Sequence, residues 1–172
     1  MNFDKSLWSH KSDEWGTPFD LFRELNDEFH FRLDACTTGD NPLGTELFYT
    51  REHDGLKQKW VDPTFVNPPY GKGLQAIKWI EKALLEAETG VTTVMLLPSR
   101  TDTKWFHKYI YDKDGIELRF LKGRLTFRLP KDNPGLYYND PNIPGNRTTN
   151  KTSAAPFPSV LIIFKPKDVR PV

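Results

Sequence analysis

Cysteine occurs once, at Cys36, so no disulfide can form within the chain, and this fits a reducing cytoplasm. Long apolar runs are missing as well. The longest, Val94-Met95-Leu96-Leu97 and residues 160–164, are strand-sized and too short to span a bilayer. No secretory signal pattern is present, and no membrane association is expected. The four histidines, His10, His30, His53 and His107, are scattered and form no ligand spacing with Cys36. That excludes a structural zinc, and no metal is expected. Internal repeats are absent too. What remains is a 172-residue chain of ordinary globular composition, long enough to bury a core as one domain.

The formal net charge of +1 conceals an asymmetry: residues 1–99 are net acidic and residues 100–151 net basic. A polyanionic partner would lie against the second half, although solvated surface charge explains the same pattern. Residues 1–14 are polar. Thr17 is placed as a helix N-cap with Pro18 at the first helical position, followed by Phe19, Phe22, Leu25 and Phe29 near helical spacing. Short strands are expected over 31–35 and 47–50, and a buried strand over 64–66. Leu74, Ile77, Ile80, Ala83, Leu84 and Ala87 mark an amphipathic helix closed by Gly90. A buried strand over 91–98, a helix over 102–111 and strands over 116–121, 125–129 and 159–164 follow. Such alternation predicts an α/β fold: an open, mostly parallel sheet with helices on both faces. Residues 130–158, dense in Pro, Asn, Gly and Tyr, form a long loop insertion, either a surface excursion or a DNA contact.

The sharpest local feature is Asn67-Pro68-Pro69-Tyr70, directly after a buried strand. Two prolines cannot donate to a sheet and hold the chain in an extended turn. The Pro68 carbonyl is then available beside the Asn67 side chain, and together they offer two acceptors for both hydrogens of one amino group. Tyr70 supplies a ring that can stack on a heterocycle carrying that amine. A conjugated amine is a poor nucleophile. Two acceptors favour the tetrahedral nitrogen that forms as a methyl group arrives, which is stabilisation aimed at the transition state. The bland alternative is a strand-ending turn with a core tyrosine.

Asn67-Pro68-Pro69-Tyr70 resembles the catalytic motif of the amino-methyltransferases. Further blocks are Trp15-Gly16-Thr17-Pro18, Leu33-Asp34-Ala35-Cys36, Asp54-Gly55-Leu56 with Trp60, and Leu96-Leu97-Pro98-Ser99-Arg100-Thr101-Asp102-Thr103 with Trp105-Phe106. Leu121-Lys122-Gly123-Arg124 and Ala155-Pro156-Phe157-Pro158-Ser159 complete the series. In this order they are similar to the phage-type DNA N-6-adenine methyltransferase family, with the resemblance covering most of the chain. It implies a Rossmann-like class I methyltransferase fold and a single catalytic domain over 1–172. It further implies S-adenosylmethionine as methyl donor, double-stranded DNA as partner and, for a phage or prophage protein, the host cytoplasm and self-protection against restriction. Trp15, Thr17 and Pro18 would receive the methionine end of the donor. Asp34, with Ala35 and Cys36, would bind its amino group, and Asp54 with Leu56 its adenine. Asp54 also reads as an ordinary Asp-Gly turn.

One departure stands out. The family's first motif has glycines closely following the acid, whereas here Asp34 is followed by Ala35-Cys36-Thr37-Thr38, with Gly39 and Gly44 further on. No recognition domain fits between Asp34 and Asn67, so DNA reading falls to the basic second half. Arg100, Lys104, Arg124, Arg128, Arg147 and Lys151 are the candidate contacts, each of which also reads as a solvated side chain. Three other functions stay open: a cytosine N4 methyltransferase, a protein or RNA amino-methyltransferase, and a catalytically silent DNA-binding or anti-restriction protein.

Overall fold

The structure, a computed structural model, describes residues 15–70, 75–128 and 154–166. Residues 1–14, Leu74, Leu129, most of the 130–158 loop, Arg147 and Lys151 lie outside the described residues.

Strands β1 (Leu33–Asp34), β2 (Leu47–Phe48), β3 (Thr64–Val66), β4 (Thr93–Pro98), β5 (Ile116–Phe120) and β6 (Ser159–Phe164) build a sheet in the order β2-β1-β3-β4-β6-β5. β2, β1, β3 and β4 pair in parallel. β6 runs antiparallel to both β4 and β5, so β5 points the same way as β4. The carboxyl ends of the other five strands therefore share one edge of the sheet. β1 lies between β2 on one side and β3 on the other, so the strand order reverses there. Beside such a switch point, α/β sheets open a crevice for ligands.

Helices α1 (Phe19–Phe29), α2 (Gln75–Glu88) and α3 (Lys104–Tyr109) cover both faces. Side chains alternate along a strand, and the sheet divides its residues accordingly. Phe65, Val94, Leu96, Leu161 and Ile163 pack with Phe22 and Leu25 of α1. Val66, Met95, Leu97, Val160, Ile162 and Phe164 pack with Trp79, Ile80, Ala83 and Ala87 of α2 and Phe106 of α3. The expected α/β architecture, mostly parallel with helices on both faces, is the one observed. α2 ends as its glycine requires. Gly90 takes φ +97°, and the N–H groups of Gly90 and Val91 bond back to the carbonyls of Ala87 and Glu86.

Two local expectations are corrected. Thr17 is not the N-cap of α1; Pro18 occupies that position, its carbonyl accepting from the Phe22 N–H at 3.0 Å. The Thr17 hydroxyl is held by another residue, described below. Likewise, residues 125–128 are not a sheet strand. After β5, Gly123 turns the chain with φ +78°, and Phe127 buries its ring against α1's side of the core. Arg128 there bridges antiparallel to Gly16.

Candidate active site

Asp34 ends β1 and Asn67 follows β3, so adjacent parallel strands bring them to the same edge. Asp34 is 1% exposed. Burial pushes its carboxyl up to about 7, opposed by hydrogen bonds from the Cys36 N–H (3.3 Å) and the Thr37 side chain, and by the charge of Arg128. A buried acid with so little compensation suits a cationic ligand group.

The loop after β2 closes on this strand end. Gly55 packs directly over the Ala35 carbonyl: a Cβ added there would meet the oxygen at 2.1 Å and the Trp79 ring at 3.1 Å. The Trp60 indole N–H bonds to the Gly55 carbonyl at 2.8 Å, and Trp60 stacks on Trp79 of α2. Asp54, in the left-handed region with φ +54°, immediately precedes this glycine. Its carboxylate pairs with Lys57 at 2.9 Å, which holds it below its ordinary pKa. Leu56 and Cys36 pack, half-buried, against the α2 side of the core. Gly55→Ala is expected to destabilise the protein by about 1–3 kcal/mol, since backbone rather than a flexible side chain must give way. Urea unfolding of the variant measures it; an unchanged midpoint would show that the loop moves freely.

Asn67 is the hub of a small polar network. Its Nδ2 donates to the Trp15 carbonyl and to the Thr17 hydroxyl, the latter at 2.9 Å. Its Oδ1 accepts from the Tyr70 hydroxyl at 2.6 Å. The Tyr70 oxygen also lies 3.2 Å from the Leu96 carbonyl, but a phenol has one hydrogen and the shorter contact takes it. Burial raises the Tyr70 phenol well above its ordinary value, so it remains a donor at working pH. Pro68 is buried and Pro69 half-buried. The Tyr70 ring meets Phe127 and Phe157 edge-on at 5.9 and 5.7 Å, and Trp15 packs against the same two phenylalanines. This aromatic group joins four segments distant in the chain over the α1 face.

Of the basic candidates, Arg100, Lys104 and Arg124 are exposed. Arg100 follows β4 and Arg124 follows β5, so both leave the sheet at the edge that carries Asn67. Arg128 is placed differently from a solvated contact. Its Nε donates to the Thr17 carbonyl at 2.8 Å, and its guanidinium lies 3.9 Å over the Phe19 ring. Sequence reasoning missed Gly55, Phe127 and Phe157 as builders of the site. Gly55 and Phe157 stand inside the matching blocks, but only spatial approach reveals what they do. Among the described residues no group of three or more His, Cys, Asp or Glu could hold a metal ion. No helix among them is long and apolar enough to cross a membrane.

Segments far apart in the chain thus converge where parallel strands end beside a switch point, around an acid and an amide turn. This is a methyltransferase-like α/β fold. The family model described as DNA N-6-adenine-methyltransferase (Dam) matches residues 5–171, nearly the whole chain, and the protein belongs to that family. No curated protein matches it.

Proposed function

We propose that the protein transfers a methyl group from S-adenosylmethionine to N6 of an adenine flipped out of duplex DNA. The observation that carries this reading is the Asn67 amide, held with its oxygen toward Tyr70 by two bonds from its Nδ2. An amide oxygen has two lone pairs, so Oδ1 keeps one acceptor site after Tyr70 has taken the other. Asn67 Oδ1 and the Pro68 carbonyl would receive the two amine hydrogens, and Pro69 would shape the turn. They favour a tetrahedral nitrogen over the planar conjugated one, and the surplus proton leaves to solvent. Tyr70 supports Oδ1 through its hydroxyl and offers its ring to the base.

The residues at the end of β1 fit the donor. Asp34 presents a buried carboxyl whose hydrogen-bond partners, the Cys36 N–H and the Thr37 side chain, are neutral and which the charge of Arg128 only partly offsets, and this suits the donor's amino group. Asp54, next to Gly55 in the same loop, would take the amino group of its adenine, and Trp15, Pro18, Ala35, Cys36 and Leu56 are the further residues proposed to line the donor's site. When bound, S-adenosylmethionine supplies an electrophilic methyl group. Positioning by this chain's residues then provides much of the rate. Arg100, Lys104 and Arg124 would hold phosphates near the site, with the 130–158 loop as a further DNA-facing segment of the one catalytic domain.

Incubation of the protein with duplex DNA and labelled donor, followed by nucleoside mass spectrometry, tests the reading. N6-methyladenine is the expected product. N4-methylcytosine would reassign the base, and label in protein or RNA alone would reassign the substrate. Absence of donor binding by calorimetry would favour a silent DNA-binding role.

A further inference from the structure

The block Trp15-Gly16-Thr17-Pro18 does something in the structure that a helix cap or a cofactor contact does not explain. Thr17 is 3% exposed, and its hydroxyl accepts from Asn67 Nδ2 at 2.9 Å. The second hydrogen of the same amide goes to the Trp15 carbonyl. Both donors of Asn67 are therefore committed to one short segment. A half-turn of the amide would set its oxygen against the Trp15 carbonyl, leaving acceptor facing acceptor in a part-buried site. It would also aim the NH2 group at any amine in the cleft, donor against donor. Only the observed orientation makes Oδ1 an acceptor for the substrate.

The segment that clamps Asn67 is itself held. Gly16 and Arg128 exchange two backbone hydrogen bonds of 2.7 Å each. The approach is close enough that a Cβ at Gly16 would meet Arg128 Cβ and its carbonyl oxygen at 2.9 Å. Arg128 Nε then fixes the Thr17 carbonyl at 2.8 Å, and Phe19 supports the guanidinium from below. These contacts run in one chain from Phe19 through Arg128 and Thr17 to Asn67.

We propose that Thr17 and Arg128 are positioning residues for methyl transfer: Thr17 fixes the orientation of the Asn67 amide, and Arg128 fixes Thr17. The consequence for rate rests on the reading of Asn67 as the amine acceptor. The orientation itself is a property of the free protein and is measurable without substrate.

The test compares Thr17→Val, which replaces the hydroxyl by a methyl group, with Thr17→Ser, which keeps it; Arg128→Met removes the Nε donor while keeping an apolar stem. Amide hydrogen exchange of the Asn67 side chain, followed by NMR on the full chain, reads the clamp. Protection of both Nδ2 protons is expected in the wild type and in Thr17→Ser, and in Thr17→Val one of them is expected to exchange at least ~10-fold faster. In single turnovers with saturating donor, Thr17→Val is expected to slow transfer by about 10–100-fold, with Thr17→Ser within ~3-fold of wild type. Arg128→Met is expected to slow it by about 3–10-fold at saturating donor, and donor affinity should change by less than ~3-fold in the two Thr17 variants. Should Thr17→Val fail to fold, Thr17→Ala against Thr17→Ser makes the same comparison. Unchanged exchange and unchanged rate in the hydroxyl-free variant overturn the proposal. So does weakened donor affinity with a wild-type rate at saturation, which would make Thr17 a donor contact. If the wild type methylates no DNA, the functional reading fails, while the exchange measurement still decides the clamp.

Discussion

Asn67→Ala is expected to slow methyl transfer to adenine by about 10²–10³-fold, the size of effect seen when one preorganised polar group is removed from a reacting centre. Donor affinity should stay within a few-fold, because the contacts expected to hold the donor lie around Asp34. The substitution also strands the Trp15 carbonyl, the Thr17 hydroxyl and the Tyr70 hydroxyl, which now bond to the Asn67 amide. A stability loss of roughly 1–3 kcal/mol should accompany the loss of rate. Two Tyr70 variants separate the parts of the network. Tyr70→Phe removes only the hydroxyl that supports Oδ1 and should cost about 10-fold or less. Tyr70→Ala also removes the ring from its contacts with Phe127 and Phe157, and should approach the Asn67→Ala defect. Single-turnover rates at saturating donor, with calorimetry for affinity, make the measurement. Wild-type methylation by Asn67→Ala would remove that residue from the reaction.

Asp34→Asn should move stability and function in opposite directions. With burial holding its carboxyl near 7 in the folded chain against 3.8 for the free side chain, the folded state retains a proton that the unfolded state has lost between those values. Stability of the ligand-free protein therefore falls as pH rises from about 4 to about 7 and levels off above that range. An asparagine never has to ionise. The variant should be more stable than the wild type by roughly 1–3 kcal/mol at pH 8 and nearly equal to it at pH 4. It should also bind the donor at least ~100-fold more weakly, having lost a charge-assisted partner for the donor's amino group. Wild-type binding should strengthen as pH rises through about 7 and release a proton on the way. Urea unfolding at pH 4 and pH 8, with calorimetry in buffers of different ionisation heat, covers all these outcomes. A variant less stable than wild type at pH 8 would mean that the buried carboxylate is compensated by its surroundings.

Most of the sheet was legible in the chain. The strands 64–66 and 159–164 were found to the residue because both faces of the sheet are covered, which makes each strand a continuous apolar run. The helix closed by Gly90 was legible for the opposite reason, one apolar face and a glycine stop. The strand expected at 31–35 is reduced to Leu33–Asp34. Residues 125–128 read as a strand because Leu125 and Phe127 alternate, yet Phe127 buries its ring against Trp15 and Phe157 and Leu125 packs, half-buried, against the same cluster. Thr17 misled in a similar way. A threonine before a proline is a good local cap, but an amide from fifty residues away claims its hydroxyl.

The glycine-poor run after Asp34 shows the same division. Nothing lies within 4 Å of where a Cβ would stand at Gly39 or Gly44, so neither serves a close approach. At this strand end the close approach is made by Gly55, from the loop after β2, pressed against the Ala35 carbonyl. The sequence by itself determined the α/β class, the acid and amide turn at strand ends, and the family, because these rest on local periodicity and on short motifs. Tertiary structure alone decided which glycine admits the backbone, which way the Asn67 amide faces, and that Arg128 turns inward to Thr17. Those are contacts between segments far apart in the chain, and hydrogen-bond geometry across such distances leaves no periodic trace in the residues that make it.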